Sequence, residues 1–431
     1  MGIKASLKNK VARHLFSPKR RDTKRRKFER QRRARNAPHV VEYYHEAGDP
    51  YSHLLAQVLP EFCQRYDIEL SVHVVPPPSE AAAPDRERLE AYARVDAQRL
   101  ADRAGLQFIN PGAQPHSDMV NWANAAFLQA AQDNSFLNRA AEIGTAMWRG
   151  EKIDTPGVSE SEIEVLLAAG AKQREARGHY LGATLHYGGE WYWGVDRLHY
   201  LEARLQELGA GVVADSGLIF PPPDAPSIDT TQSLNKRPEL HWYLSFRSPY
   251  TGIVADRVKA LADAYGADLK LRYVLPMVMR GMSVPREKGF YIMSDAVREA
   301  ERLGVSFGNM SDPVRKPVER GYAILHQAIE LEKGFEFARS FLSGVWAEGI
   351  DAGTDRGLKT ITERAGVSWN DVRQWADGDH WRSVAEENQA EMFGHGIWGV
   401  PSFRVNETAT WGQDRLWVIE EALAAYREVS K

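Results

Sequence analysis

The sequence predicts an α/β chain of two tandem domains, each carrying a large helical insertion. Three observations predict it. The chain matches itself at a constant offset of 199 residues: Tyr44 falls on Tyr243, Pro50 on Pro249, Tyr66 on Tyr265 and Val75 on Val274. The match runs without a gap through Tyr92 and Tyr291, Asp96 and Asp295, and Asn110 and Asn309. Such self-similarity marks two copies of one structural unit. Both copies also show the same order of strand and helix signals. Between them lies a stretch rich in Pro, Gly and Ser, the signature of a linker. The expected division is a tail at 1–38, a first domain at 39–208, a linker at 209–238 and a second domain at 239–431.

The tail is basic. Residues 1–36 hold fifteen Lys and Arg against Asp22 and Glu29, a balance of +13, while the rest of the chain stands at −16. Ile3, Leu7, Val11 and Leu15 recur every four residues, which predicts a short amphipathic helix ended by Pro18. Lys19 to Arg35 is almost purely basic and reads as solvated, disordered chain. The expected partner is an anionic membrane surface met through residues 1–36, since a lysine or arginine near an anionic leaflet gains about 1 kcal/mol. Nucleic acid is the weaker candidate, because the body is acidic and shows no recognisable binding motif. The same composition also suits a tail that only aids solubility or folds back on the body.

Each domain opens with an apolar strand (Val40–Tyr44; Leu240–Leu244). A Pro-bearing turn then starts a helix (Tyr51–Tyr66; Tyr250–Tyr265), and a second strand follows (Glu69–Val75; Asp268–Val274). A long run of helical pattern comes next. Two short strands (Ala183–Tyr187 and Trp191–Trp193; Ser402–Val405 and Thr410–Trp411) and a last helix close each domain. This order is an α/β architecture.

Composition excludes several classes. Hydrophobic residues make up 43% and charged residues 26%, as in ordinary globular proteins. No run of eighteen apolar residues suggests a membrane span, and no apolar leader marks a secretory signal. The single cysteine, Cys63, excludes an intrachain disulfide, a CxxC redox centre and a cysteine-rich zinc site. No metal site is expected. The expected location is cytoplasmic, peripheral to the membrane if the tail binds there.

The chemistry concentrates in the second domain. Phe246-Arg247-Ser248-Pro249-Tyr250 sits at a strand-to-helix junction. Ser248 suits the N-cap and Pro249 the first helical position. A helix N-terminus favours negative charge, so the Ser248 hydroxyl there can donate to a thiolate or another anion. The first domain has Gly48-Asp49-Pro50-Tyr51 instead. Asp49 also caps a helix, but an ionised carboxylate cannot donate and repels an anion. A second contrast is Trp398-Gly399-Val400-Pro401-Ser402, read against Leu181-Gly182-Ala183-Thr184 of the first domain. An X–Pro bond is the kind that adopts cis, which would turn the backbone of Val400 toward a ligand; Thr184 is read as standing where Pro401 does. A third contrast is Lys288 against Leu89. A structural reading exists for each: a cap, a strand-starting proline, a surface lysine.

Taken together, FRSPY, EKGFY, WGVPSF and WGQDRL resemble the 2-hydroxychromene-2-carboxylate isomerase and kappa-class glutathione transferase family, of the DsbA-like branch of the thioredoxin fold. The resemblance covers nearly all of the second domain, and the first looks like a degenerate copy. It implies two tandem DsbA-like thioredoxin-fold domains and glutathione as cofactor. By this resemblance Ser248 holds the glutathione sulfur as thiolate, and Val400, before cis-Pro401, pairs with the cysteinyl backbone. Gln413 and Asp414 would take the γ-glutamyl end, and Lys288 a carboxylate. The Asn that family members carry before the lysine is missing from Val278–Pro285. The implied activity is glutathione-dependent isomerisation or transfer on a small electrophilic organic substrate, with no dithiol–disulfide chemistry. The competing expectation is a non-catalytic thioredoxin-fold scaffold attached to an anionic surface by its tail. The assembly is expected to be a monomer with an intrachain pseudo-dimer, or a homodimer.

Overall fold

The computed structural model describes residues 9, 11–213, 217–223 and 237–429. A basic helix, α1 (Pro18–Ala34), comes first. The first sheet holds β1 (Val40–His45), β2 (Glu69–Val74), β3 (Thr184–Tyr187) and β4 (Glu190–Trp193). Between β1 and β2 runs α2 (Pro50–Arg65). The insertion comprises α3 (Arg86–Ala104), α4 (Ser117–Gln132), α5 (Phe136–Arg149) and α6 (Glu160–Arg177), and α7 (Leu198–Glu207) closes the set. The second sheet holds β5 (Glu239–Leu244), β6 (Asp268–Tyr273), β7 (Ser402–Val405) and β8 (Thr408–Trp411). Its crossover helix is α8 (Pro249–Tyr265). The second insertion comprises α9 (Arg286–Arg302), α10 (Lys316–Glu330), α11 (Gly334–Trp346), α12 (Asp355–Arg364), α13 (Trp369–Val372) and α14 (Arg382–Gly394), and α15 (Leu416–Val429) follows β8.

The strand orders are β2-β1-β3-β4 and β6-β5-β7-β8. In each sheet the first pair is parallel and the others antiparallel. A parallel pair needs a crossover, which α2 and α8 supply. Both central strands are apolar along most of their length and buried on both faces. The registers agree: Val40 pairs with Glu69 and Glu239 with Asp268, while Tyr44 pairs with Thr184 and Tyr243 with Ser402. The chain therefore folds as two thioredoxin-like α/β domains with helical insertions. One reading changes. Thr184 aligns with Ser402, so Ala183, not Thr184, stands at the place of Pro401. The ladder sets that register, since Thr184 and Ser402 pair with the equivalent residues Tyr44 and Tyr243 of the central strands.

By compactness the chain divides into Met1–Arg21, Pro223–Val284 and Ile292–Lys431 on one side, and Asp22–Pro222 with Pro285–Tyr291 on the other. The first of these contains the second sheet, and Pro285–Tyr291 belongs to the unit with the first sheet. Linear boundaries do not anticipate that exchange. Several tertiary contacts repeat between the two domains, at an offset of 199 residues or, for Trp148 and Trp346, 198. The Tyr51 hydroxyl donates to Asp96 at 2.9 Å, and that of Tyr250 to Asp295 at 2.9 Å. Phe108 packs on Trp148 with ring centroids 5.2 Å apart, and Phe307 on Trp346 at 5.7 Å. Trp346 also donates from Nε1 to the buried carbonyl of Phe246 at 3.1 Å.

The tail differs from expectation. Lys19 to Arg35, read as disordered, forms most of α1. Pro18 starts this helix rather than merely ending the one before it, and the Ser17 hydroxyl accepts from the Arg20 amide at 3.3 Å as a cap. Tertiary contacts hold α1 where composition alone would not. Phe28 meets Tyr187 edge-on at 5.4 Å, and Arg25 pairs through two bonds with Glu190 at 2.6 and 2.7 Å. Arg32 and Arg33 grip Glu29 and hold its carboxyl down to about 2 against the opposing cost of burial. Ile3 and Leu7 lie outside the described residues. Of the rest of their stripe, Val11 is 50% exposed, while the neighbouring Ala12 and Phe16 pack against the core that contains Trp242 and Phe246. No described helix is long and apolar enough to cross a membrane.

Candidate functional site

Ser248 is the N-cap of α8, in extended backbone conformation, with Pro249 at the first helical position. Its Oγ accepts from the Thr251 amide at 3.2 Å and donates to the Val400 carbonyl at 3.2 Å. The Val400–Pro401 peptide is cis. Among the described residues the Val400 amide makes no hydrogen bond. The Pro401 carbonyl accepts from the Gly412 amide at 3.0 Å, one step beyond the Ser402–Trp411 pair of the β7–β8 ladder. Gly412 has φ +122°, and a Cβ there would lie 2.7 Å from Asp414 Oδ1. Only glycine lets the Asp414 carboxylate fold back over this turn. Ser248, Val400, Pro401 and Asp414 thus form one connected row, from a helix N-terminus to the end of the sheet.

Gln413 belongs to the same turn but is committed elsewhere. It is 2% exposed. Its carbonyl accepts from Arg257 of α8 at 2.8 Å, its Oε1 accepts from Arg257 too, and its Nε2 donates to Glu299 at 2.7 Å. Burial lowers the Arg257 guanidinium to about 10, against the opposing pull of Glu299 and Asp414. The network ties the last turn to α8 and satisfies the Gln413 side chain within the protein. Lys288 lies in Pro285–Tyr291, grouped with the first sheet. Its ammonium donates to the Ala82 carbonyl at 2.8 Å and faces the Tyr180 ring at 5.9 Å. Burial lowers its pKa to about 8.

Two residues of this region escape a sequence reading. Thr251 is fully buried three positions after Ser248, and its Oγ1 has no hydrogen-bond partner among the described residues. Its counterpart in the self-match, Ser52, is a hydroxyl too, and that conserved chemistry was the available signal. Arg257 carried none, because its partners lie over forty residues away. Trp398 and Trp411 line the approach with centroids 5.9 Å apart, and Arg280 lies over Trp398 at 5.6 Å and Phe393 at 5.4 Å. Gly399 is required here, since a Cβ would come within 2.3 Å of the Trp411 ring.

The matching turn of the first domain is closed by its own side chains. Asp49 caps α2 and accepts from the Tyr51 amide at 3.2 Å, the Ser52 amide at 3.0 Å and Ser52 Oγ at 2.8 Å. Ser52 Oγ in turn accepts from the amides of Glu46 at 3.1 Å and Ala183 at 2.8 Å. Burial pushes both the Glu46 and Asp49 carboxyls up; the Asp49 charge raises Glu46 further, and the Glu90 charge raises Asp49. Ala183 takes φ +50°, unusual for a residue with a Cβ. Cys63 is half-buried, and burial pushes its thiol up to about 11, so it is a poor nucleophile. No cluster of three or more metal-binding side chains occurs among the described residues.

A parallel strand–helix–strand joined to an antiparallel hairpin and a last helix, with a capped turn facing a cis-proline loop, defines the thioredoxin-fold class. Within it, residues 239–424 match the family model of the DSBA-like thioredoxin domain. The chain is similar in structure to a 2-hydroxychromene-2-carboxylate isomerase, with 20% identity, 43% of this chain and 95% of that one covered, and a TM-score of 0.37. It is similar to a probable DsbA oxidoreductase from Streptomyces coelicolor (19% identity, 44% and 89% covered, TM-score 0.35). It is also similar to the cytosolic disulfide reductase DsbM from Pseudomonas aeruginosa with GSH (15% identity, 44% and 98% covered, TM-score 0.34). No curated protein matches the chain.

Proposed function

We propose that the second domain is a glutathione-dependent isomerase or transferase for a small electrophilic substrate, and that the first is a duplicated copy without this activity. One observation carries the reading: a hydroxyl at a helix N-terminus, Ser248 Oγ, lies 3.2 Å from the carbonyl of Val400, whose own amide is unpaired among the described residues. An extended cysteinyl peptide fits such a place. Its backbone would pair with the Val400 amide and carbonyl, as an added strand does at a sheet edge. That pairing would take the Val400 carbonyl away from Ser248 and free the hydroxyl to donate to sulfur. The buried, unpartnered Thr251 Oγ1 fits the same need for a polar ligand group beside Ser248.

Glutathione, when bound, supplies a nucleophilic sulfur. A free thiol has a pKa of about 8.5. The Ser248 hydroxyl and the first amides of α8 favour its thiolate. Asp414, folded over Gly412, offers a carboxylate to an ammonium such as that of a γ-glutamyl group. Ser248 itself is no nucleophile in this reading, because its hydroxyl donates to the Val400 carbonyl and not to a base. The absence of a second sulfur leaves no dithiol chemistry for the chain.

A second reading, a non-catalytic scaffold that binds peptide at the same row, is favoured by one observation. The Gln413 side chain is fully engaged by Arg257 and Glu299, so one expected ligand contact is already satisfied. Calorimetric titration of reduced glutathione into the full chain tests the first reading. One saturable site, weakened at least tenfold by Ser248→Ala, is expected. No binding at millimolar glutathione overturns it and leaves the scaffold.

A further inference from the structure

We infer that the outward half of α1 is a docking surface for the phosphate backbone of duplex DNA. Lys24, Arg26, Lys27 and Arg30 are exposed on this helix. None of the four has a carboxylate partner among the described residues; Arg26 bonds only Thr23. At 3.6 residues per turn they spread over an arc of roughly 160°. Glu29 is buried and neutralised by Arg32 and Arg33. The charged side chains of the outward arc are therefore all cationic, with Thr23, Gln31 and Ala34 between them.

Two features select the partner. A helix that lies in a bilayer interface needs an apolar face. The one large apolar residue of α1, Phe28, is turned onto Tyr187 and the Arg204 guanidinium, so the exposed face has nothing to insert. A flat anionic surface also meets only a narrow strip of a helix. Cations on both flanks match a groove with phosphates on both walls. The major groove of B-form DNA is about 12 Å wide and admits an α-helix. The deep, narrow major groove of A-form RNA does not. The arc is held in place before any partner arrives, because Arg25 and Arg32 pin the inward half to Glu190 and to the Ala37 carbonyl. Little ordering cost remains for binding. The acidic balance of the remaining chain adds no attraction, so recognition is of phosphate and carries no base sequence.

Fluorescence anisotropy of a labelled 20-base-pair duplex with the full chain, from 50 to 200 mM NaCl, tests the inference. Four phosphate contacts predict a log–log salt slope of about −3.6. Lys24→Ala, Lys27→Ala and Arg30→Ala combined should weaken binding at 50 mM salt at least tenfold and flatten the slope by about 2.7. These side chains are exposed, so the circular dichroism and thermal midpoint should not change. The inference is overturned by any of three results: no duplex binding at 50 mM salt while vesicles with phosphatidylserine are bound, an unchanged slope in the triple variant, or a single strand of equal length bound as tightly as the duplex.

Discussion

The two capped turns, Glu46–Ser52 before α2 and Ser245–Thr251 before α8, share backbone shape and differ in where their polar groups point. In the first, Ser52 Oγ takes the amide of Ala183 and gives its proton to Asp49. In the second, Pro401 stands at the place of Ala183 and has no N–H to give. The hydroxyl of Thr251 is left without a partner, and the cap residue, Ser248, turns to Val400. One amide more or less decides whether the turn is sealed from within or left with polar groups to offer. The exchange of Ser for Asp need not cost stability, since the two cap a helix about equally well.

The largest effect is expected in the core beneath the second turn. Trp346→Ala removes a buried indole and its bond to Phe246, and should destabilise the second domain by about 3–5 kcal/mol. Trp148 has no such bond, since its Nε1 is unpartnered. Trp346→Phe should therefore cost about 1–3 kcal/mol more than Trp148→Phe, by leaving the Phe246 carbonyl unpaired. Hydrogen exchange read by mass spectrometry, domain by domain, checks the difference; equal costs would mean the indole bond is immaterial.

Acid should separate the domains next. Burial lowers the imidazoles of His45 and His179 to about 3 and of His53 to about 4, and lowers His39 and His73 as well. These groups are neutral in the folded domain, while the unfolded chain takes up protons below about 6.5. Their contribution is intact above that pH and is lost as pH falls toward 3–4. Glu42, held to about 2 by His186, Arg177 and Gln173 against the cost of burial, adds loss in the same direction below about 4.5. Glu46 and Asp49 act oppositely. Their raised carboxyls lose stability as pH rises through the folded values. In the second domain burial lowers His241, to about 4, and His326. Exchange at pH 4.5 against pH 7 should open the first domain before the second, and the reverse order would refute this account.

Ser248→Asp transplants the first turn's cap into the second. It should leave the melting midpoint nearly unchanged and reduce glutathione affinity at least tenfold in calorimetry, because an ionised carboxylate cannot donate to sulfur. Retained affinity would remove Ser248 from the site. The smallest effect concerns the caps alone. Asp49→Ala should cost the first domain about 1 kcal/mol in denaturant melts, and glutathione binding should be untouched.

Much of this was legible in the sequence because it depends on local chemistry. The caps at Asp49 and Ser248 and the crossover helices follow from residues a few positions apart or from the self-match. The connected row of Ser248, Val400, Pro401 and Asp414 was legible through the resemblance. What was not legible depends on distant partners. Lys19 to Arg35 reads as disordered by composition, yet Glu190 and Tyr187 hold it as a helix. Lys288 reads as a ligand-binding surface lysine, yet its ammonium is buried on Ala82. Thr184 was misaligned because short strands carry little signal without their ladder. Gln413 was expected to face a ligand, and only the folded chain reveals Arg257 beside it.

The indoles of Trp398 and Trp411, 5.9 Å apart and inclined at 57°, flank the Gly399–Val400 backbone. Two chromophores this close share their excited states. Their near-ultraviolet circular dichroism should carry a paired, oppositely signed feature. A peptide that docks on Val400 would shift the strand beneath this pair and change the coupling. The molecule thus carries an optical gauge beside the row from Ser248 to Asp414, readable without a label or a known substrate.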